Sequence, residues 1–167
     1  MMYLDLRQLF EVVDEHFPVE YDLDLSGYEF FVTRPFITPV AVNGLVKNVA
    51  GIVTLDCSVQ FTLRLSCDRC LKEFERGFSE DFQHILVNRL ESDDDLYSDY
   101  IVVPDMRLNL DELLTADIML AMPSKFLCSE DCKGLCPQCG KDLNQGDCGC
   151  TEQTGDPRFD VLKQLLT

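Results

Sequence analysis

From Val53 to Cys67 the chain alternates without a break. Val53, Leu55, Cys57, Val59, Phe61, Leu63, Leu65 and Cys67 share one parity, and Thr54, Asp56, Ser58, Gln60, Thr62, Arg64 and Ser66 fill the other. Only an extended strand has a side-chain period of two. One apolar face and one polar face place the strand in an antiparallel sheet, with a core beneath it and water above. Such a strand needs neighbours, and the valine-rich stretch before Gly51 is the expected hairpin partner. The fold class that follows is α+β, an antiparallel sheet with flanking helices. The pattern is compatible with a strongly curved, barrel-like sheet and with an open one.

The flanking segments fill in the body, expected over residues 1–122. Leu4, Leu6, Leu9, Phe10, Val13 and Phe17 recur at roughly helical spacing, predicting an N-terminal helix that Pro18 stops. From Val19 to Asn48 short strands are expected, punctuated at Gly27, Pro35, Pro39 and Asn43-Gly44. Phe74, Phe78 and Phe82 are read as one face of a strand that turns back at Asp68-Arg69. The acidic residues around 91–100 read as a linker. A helix is expected over 110–121, with Asn109 as its cap, Glu112 completing the capping box, and Leu110, Leu113, Leu114, Ile118 and Ala121 as its apolar stripe. Residues 123–167 are expected to form a cysteine-rich appendage closed by a short helix, with Asp156 as cap and Pro157 at the first turn.

Six of the nine cysteines lie between Cys128 and Cys150. The opening residues lack an uninterrupted apolar run of signal-peptide type, and no stretch is apolar enough to span a membrane. A cytoplasmic, reducing setting is expected, in which clustered cysteines are metal ligands more often than disulfides. "CPQCG" has the form of a zinc knuckle, in which two thiolates and nearby backbone N–H groups face one ion. Tetrahedral zinc then needs a second pair, either Cys128 with Cys132 or Cys148 with Cys150. One site takes four of the six candidates Cys128, Cys132, Cys136, Cys139, Cys148 and Cys150. The spacing Cys132-x3-Cys136-x2-Cys139 also occurs in the cluster loop of radical-SAM enzymes. There the loop precedes a barrel of about 250 residues, and here it lies near the end of the sequence. Cys67 and Cys70, in "CDRC", form a further thiol pair, read as a tight turn that joins the zinc site if the cluster folds back to it. A redox pair of the thioredoxin type would sit where a strand feeds a helix instead. Cys57 is read as a small core residue.

Little else suggests catalysis. The only two histidines, His16 and His84, are expected to be structural, and no nucleophile elbow, phosphate loop or dinucleotide fingerprint is present. An enzyme is not expected. The net charge of −16 disfavours tight RNA binding by this chain alone, since phosphate neutralisation supplies most nucleic-acid affinity. An acidic surface suits a basic protein partner, or simple solubility.

"CDRCL" closing a long strand, then an acidic connection, "CKGLCPQCGKDLNQGDCGC" and "DPRFDVLKQLL" together resemble the YceD family, named for accumulation of large ribosomal subunit RNA. The resemblance runs from about Val53 to Leu166, with motifs CxRCL at Cys67–Leu71 and GLCPxCGxxLNxGxCxC at Gly134–Cys150. It implies a role in 23S rRNA accumulation and large-subunit biogenesis, with a basic ribosomal protein such as L32, or a pre-50S particle, as partner. Many Gram-negative members look to keep the first cysteine pair and lack the C-terminal cluster. By that comparison the metal stabilises the protein and does not perform the shared task. The alternative is a thiol- or zinc-handling protein, a metal donor or redox factor, that serves ribosomal proteins.

Overall fold

In a computed structural model, described for residues 1–30, 33–89 and 100–150, the alternating stretch is one unbroken strand. In chain order the elements are β1 (Tyr3–Asp5), α1 (Arg7–Glu11), β2 (His16–Leu23), β3 (Val40–Val49), β4 (Ile52–Ser66), β5 (Glu73–Val87), β6 (Tyr100–Val102), β7 (Arg107–Asn109) and α2 (Leu110–Ala121). Two compact units result. One is Met1–Leu65 with Glu73–Phe126; the other is Ser66–Lys72 with the chain from Leu127 onward, described as far as Cys150.

The first unit is built on a five-stranded sheet of order β2-β3-β4-β5-β6, and β1 and β7 form a separate two-stranded ribbon. β2 and β3 pair antiparallel, as do β3 and β4. The contacts Asp56–Gln83, Phe61–Phe78 and Arg64–Glu75 rise along β4 while they fall along β5, as an antiparallel hairpin requires. β6 departs from the expectation, since it runs parallel to β5 through Ile85↔Tyr100, Leu86↔Ile101 and Val87↔Val102. The sheet is therefore mixed. It is also open, with β2 and β6 at its edges, so barrel closure is not the outcome.

The inner face of β4 is buried from Val53 to Leu65, and the even residues Val40, Val42 and Val46 of β3 lie on the same side. α2 contributes Leu110, Leu114 and Ile118 to this core, while Leu113 is partly buried and Ala121 exposed. Asn109 caps the helix by accepting the Glu112 backbone N–H, with Asp111 and Glu112 in the first turn where the helix dipole favours acids. Phe36, Phe61, Phe78, Phe126 and Phe30 form a chain of ring contacts, with Phe61 and Phe78 stacked at 5.5 Å.

Two sequence expectations are corrected. The N-terminal helix shrinks to five residues, because Leu4 belongs to β1, and Val13 and Phe17 are exposed. Asp14 adopts φ 65 and breaks the helical course, and Pro18 lies in β2, an edge strand that tolerates a missing N–H. Asn43-Gly44 is not a turn but the middle of β3. A Cβ on Gly44 would lie 2.9 Å from Cys57 Cβ and 3.0 Å from the Asp56 carbonyl, so only glycine admits this close strand approach. The reversal falls instead at Ala50 (φ 54) and Gly51 (φ 86), the positive angles of a two-residue hairpin turn. Asn48, buried to 1% exposure, supports it by accepting the Gly51 N–H at 2.9 Å and donating to the Leu9 carbonyl at 2.6 Å. The acidic residues of the expected linker up to Asp99, and the expected closing helix after Asp156, lie outside the described residues.

Candidate metal centres

The second unit contains eight of the nine cysteines, and the chain arranges them as two tetrads. Cys67, Cys70, Cys128 and Cys132 form one; Cys136, Cys139, Cys148 and Cys150 form the other; within each, the sulfurs lie within 4.8 Å of one another. All six cysteines of the cluster fall in these groups, four in one and two in the other. Cys67 and Cys70 complete the first set. The spacing of the cluster suggested one site, and a second one emerges because the β4–β5 connection supplies a pair from far upstream.

The two CxxC segments fold alike. In the first, the Cys67 N–H donates to the Lys72 carbonyl at 2.9 Å and the Leu71 N–H to the Cys67 carbonyl at 2.9 Å. In the second, the Cys136 N–H donates to the Lys141 carbonyl at 2.8 Å and the Gly140 N–H to the Cys136 carbonyl at 2.9 Å. The residue after each second cysteine is left-handed, Leu71 at φ 62 and Gly140 at φ 73. "CDRCLK" and "CPQCGK" are thus one knuckle built twice. The shared C-x-x-C-x-K pattern was legible but too short to announce a repeat.

Electrostatics follow the same duplication. Burial opposes ionisation of Cys67, but backbone N–H groups of Cys128, Cys70 and Arg69 outweigh it and bring the thiol down to about 6. Backbone N–H groups of Cys139 and Gln138 bring Cys136 down to about 6. Other members of each tetrad move the other way. Burial and the neighbouring sulfurs push Cys128 up to about 12. The Cys139 and Cys148 sulfurs, with burial, push Cys150 up to about 12. Like charges this close repel, and a cation between the sulfurs would offset that repulsion.

The donor sets fit zinc. Four sulfurs about 2.3 Å from a tetrahedral ion lie about 3.8 Å apart. In the first tetrad Cys67 and Cys132 sulfurs are 3.7 Å apart, and Cys70 and Cys128 sulfurs 3.6 Å. A zinc ion held there would cross-link its loops and draw all four thiols into the anionic state.

Supporting residues that the sequence did not single out surround the first tetrad. The Arg69 guanidinium donates to the Cys132 carbonyl at 2.8 Å, and the Leu135 N–H to the Arg69 carbonyl at 3.2 Å. Asn144 donates from Nδ2 to the Cys132 sulfur at 3.4 Å, although it lies in sequence between ligands of the other tetrad. It is pinned there by the Lys133 N–H on Oδ1 at 2.8 Å and by its own bond to Asp142 at 2.7 Å. Gly134 (φ 75) passes so close to the first knuckle that a Cβ would sit 3.0 Å from the Arg69 carbonyl oxygen.

The remaining cysteine and the histidines belong to the first unit. Cys57 is buried in the core, and burial followed by Asp117, Asp56 and Asp81 pushes its thiol up to about 11. His84 pairs with Asp117 at 2.8 Å, tying β5 to α2. His16 begins β2 and is exposed, not helical. On the outer face of the sheet Asp56 meets Lys47 at 2.7 Å and Gln83 at 2.6 Å, which hold its carboxyl below the usual range. Glu20, Asp22, Glu73, Glu75 and Asp81 stand exposed, and an open groove of about 640 Å³ is lined in part by Asn43, Asp56, Ser58, Asp81 and Gln83. Among the described residues no helix is long and apolar enough to cross a membrane.

An open mixed sheet and a knuckle module with two cysteine tetrads define a sheet protein with candidate metal centres. Residues 55–166 match the sequence profile of YceD, described as large ribosomal RNA subunit accumulation protein. The chain belongs to the YceD family. It is 27% identical over 132 residues to the uncharacterized protein YlbN of Bacillus subtilis, covering 78% of this chain and 76% of that protein. It is also 34% identical over 64 residues to the uncharacterized protein Rv2926c of Mycobacterium tuberculosis, covering 38% of this chain and 30% of that protein. No solved structure matches the chain at a significant level.

Proposed function

We propose that the protein is a non-enzymatic factor in 23S rRNA accumulation and large ribosomal subunit biogenesis, acting in the cytoplasm. The observation that carries this reading is the family match over residues 55–166. Its working contact is with a basic ribosomal protein, L32 or one like it, or with a pre-50S particle. Support comes from the net charge of −16 and from the exposed acids of the sheet, which attract cationic partners and repel bare phosphate. Direct RNA contact is disfavoured on the same ground. Zinc, held by the cysteine tetrads, is the cofactor of the second unit.

A second reading, that the protein handles zinc or thiols for ribosomal proteins, is favoured by the exposure of Cys139 and Cys150. The test mixes the purified chain with isolated pre-50S particles and, separately, with L32 at moderate salt. Co-sedimentation or capture supports the assembly reading. Absence of binding to both, with 23S rRNA at normal levels in cells that lack the protein, would overturn it.

A further inference from the structure

The two tetrads share a knuckle but not an environment. In the first, Cys67 is fully buried, Cys132 is 3% exposed and Cys70 is 8% exposed. Its ligands come from segments 58 and 65 residues apart, and Arg69 and Asn144 brace Cys132. In the second, all four ligands fall between Cys136 and Cys150, and Cys139 and Cys150 are exposed. Access decides how fast a thiolate site exchanges its ion, because an incoming ligand must reach the metal before an old one leaves.

We infer that the chain holds two zinc ions with different duties: the ion on Cys67, Cys70, Cys128 and Cys132 is retained, and the ion on Cys136, Cys139, Cys148 and Cys150 exchanges with thiol ligands of another protein. The inference rests on the zinc reading given above. In the exchange step an incoming thiolate forms a zinc–sulfur bond as the bond to Cys139 or Cys150 breaks. The incoming thiol has given up its proton, the departing thiolate takes one, and no electrons move. Asn144 makes the two duties compatible. The Lys133 N–H, which lies outside the Cys136–Cys150 loop, holds it beside the Cys132 sulfur when the second ion departs. One zinc leaves while the other keeps the unit folded.

The experiment uses the full zinc-loaded chain and the chromophoric chelator 4-(2-pyridylazo)resorcinol. Metal analysis is expected to find two zinc ions per chain, and chelator transfer to proceed in two phases of one equivalent each, at least about tenfold apart. Cys150→Ser removes the fast equivalent and leaves the slow one. Asn144→Ala keeps both, leaves the fast phase unchanged and speeds the slow one by about 10- to 100-fold, the usual effect of removing an outer hydrogen bond to a metal ligand. Should Cys150→Ser fail to fold, the wild-type kinetics and Asn144→Ala still decide. Release of both ions in a single phase overturns the inference, as does a wild-type chain that holds one zinc, and in either case the zinc reading survives. A chain that holds no zinc overturns the zinc reading itself.

Discussion

Gly134→Ala separates the reach of the first knuckle from the generic cost of a left-handed residue. Two effects combine at this position. A non-glycine residue in the left-handed region costs about 1–2 kcal/mol. The new Cβ would also stand 3.0 Å from the Arg69 carbonyl oxygen and 3.4 Å from Arg69 Cβ. Backbone must give way there, and the Leu135 N–H bond to that carbonyl, already 3.2 Å, stretches past a useful length. Its loss adds about 1 kcal/mol. The total of about 2–3 kcal/mol corresponds to roughly 30- to 150-fold weaker metal retention at the Cys67 tetrad, at 1.4 kcal/mol per decade. Gly140→Ala is the control. Its φ is +73 but a Cβ there meets nothing within 4 Å, so only the backbone cost of about 1–2 kcal/mol applies, roughly 5- to 30-fold at the other tetrad. Chelator competition titrations on the full chain measure both. A Gly134→Ala variant whose loss is no larger than that of Gly140→Ala would refute the steric reasoning.

Leu71 occupies the left-handed position that Gly140 fills in the other knuckle, and it is 68% exposed. Leu71→Gly therefore sheds strain with little burial lost, and metal retention is expected to hold steady or tighten by up to about 1 kcal/mol; a tenfold loss in the same titration would contradict this. Asn48→Ala strands the buried Leu9 carbonyl and frees the Gly51 N–H at the exposed turn, and should cost about 1–3 kcal/mol, read as a lower urea midpoint at unchanged slope. A cost under about 1 kcal/mol would show that water replaces it. Metal affinity should rise with pH. With Cys128 and Cys150 pushed up to about 12, each ion must displace a proton at neutral pH, giving at least about tenfold per unit. Below about pH 6 Cys67 and Cys136 take up protons too and the loss steepens. Competition titrations from pH 5.5 to 8 check the sign, and a flat profile would refute it.

The sequence disclosed most where one physical demand acted alone. The alternation in β4 reports a strand with one buried face, and Asn109 with Leu110, Leu114 and Ile118 report a capped amphipathic helix, so both emerged at the expected residues. Reading failed where two demands overlapped. Leu4, Leu6 and Leu9 face the core from a strand and a helix in succession, which imitates one longer helix. Gly44 looks like a turn residue, yet the close approach of Cys57 is what requires it. The site was half legible. Residue type and local spacing pointed to the cysteines, but the partition into two tetrads depends on a chain crossing that no local window contains. Asn144 was invisible for the same reason, since its partner Cys132 belongs to the other tetrad.

The unequal span of the two tetrads also sets an order of assembly. Cys139 and Cys148 are nine positions apart, whereas Cys70 must find Cys128 across 58. Closing the longer loop costs roughly 2 kcal/mol more in chain entropy, and β5, β6, β7 and α2 all lie within it. Until it closes, the first knuckle faces a choice between Cys128 with Cys132 and the equally suitable Cys136 with Cys139. The short loop would resolve that choice, since Cys148 and Cys150 lie close enough to claim Cys136 and Cys139 at little entropic cost. What would remain for Cys67 and Cys70 is the pair Cys128 and Cys132, so loop length alone would steer near-identical cysteines to one pairing.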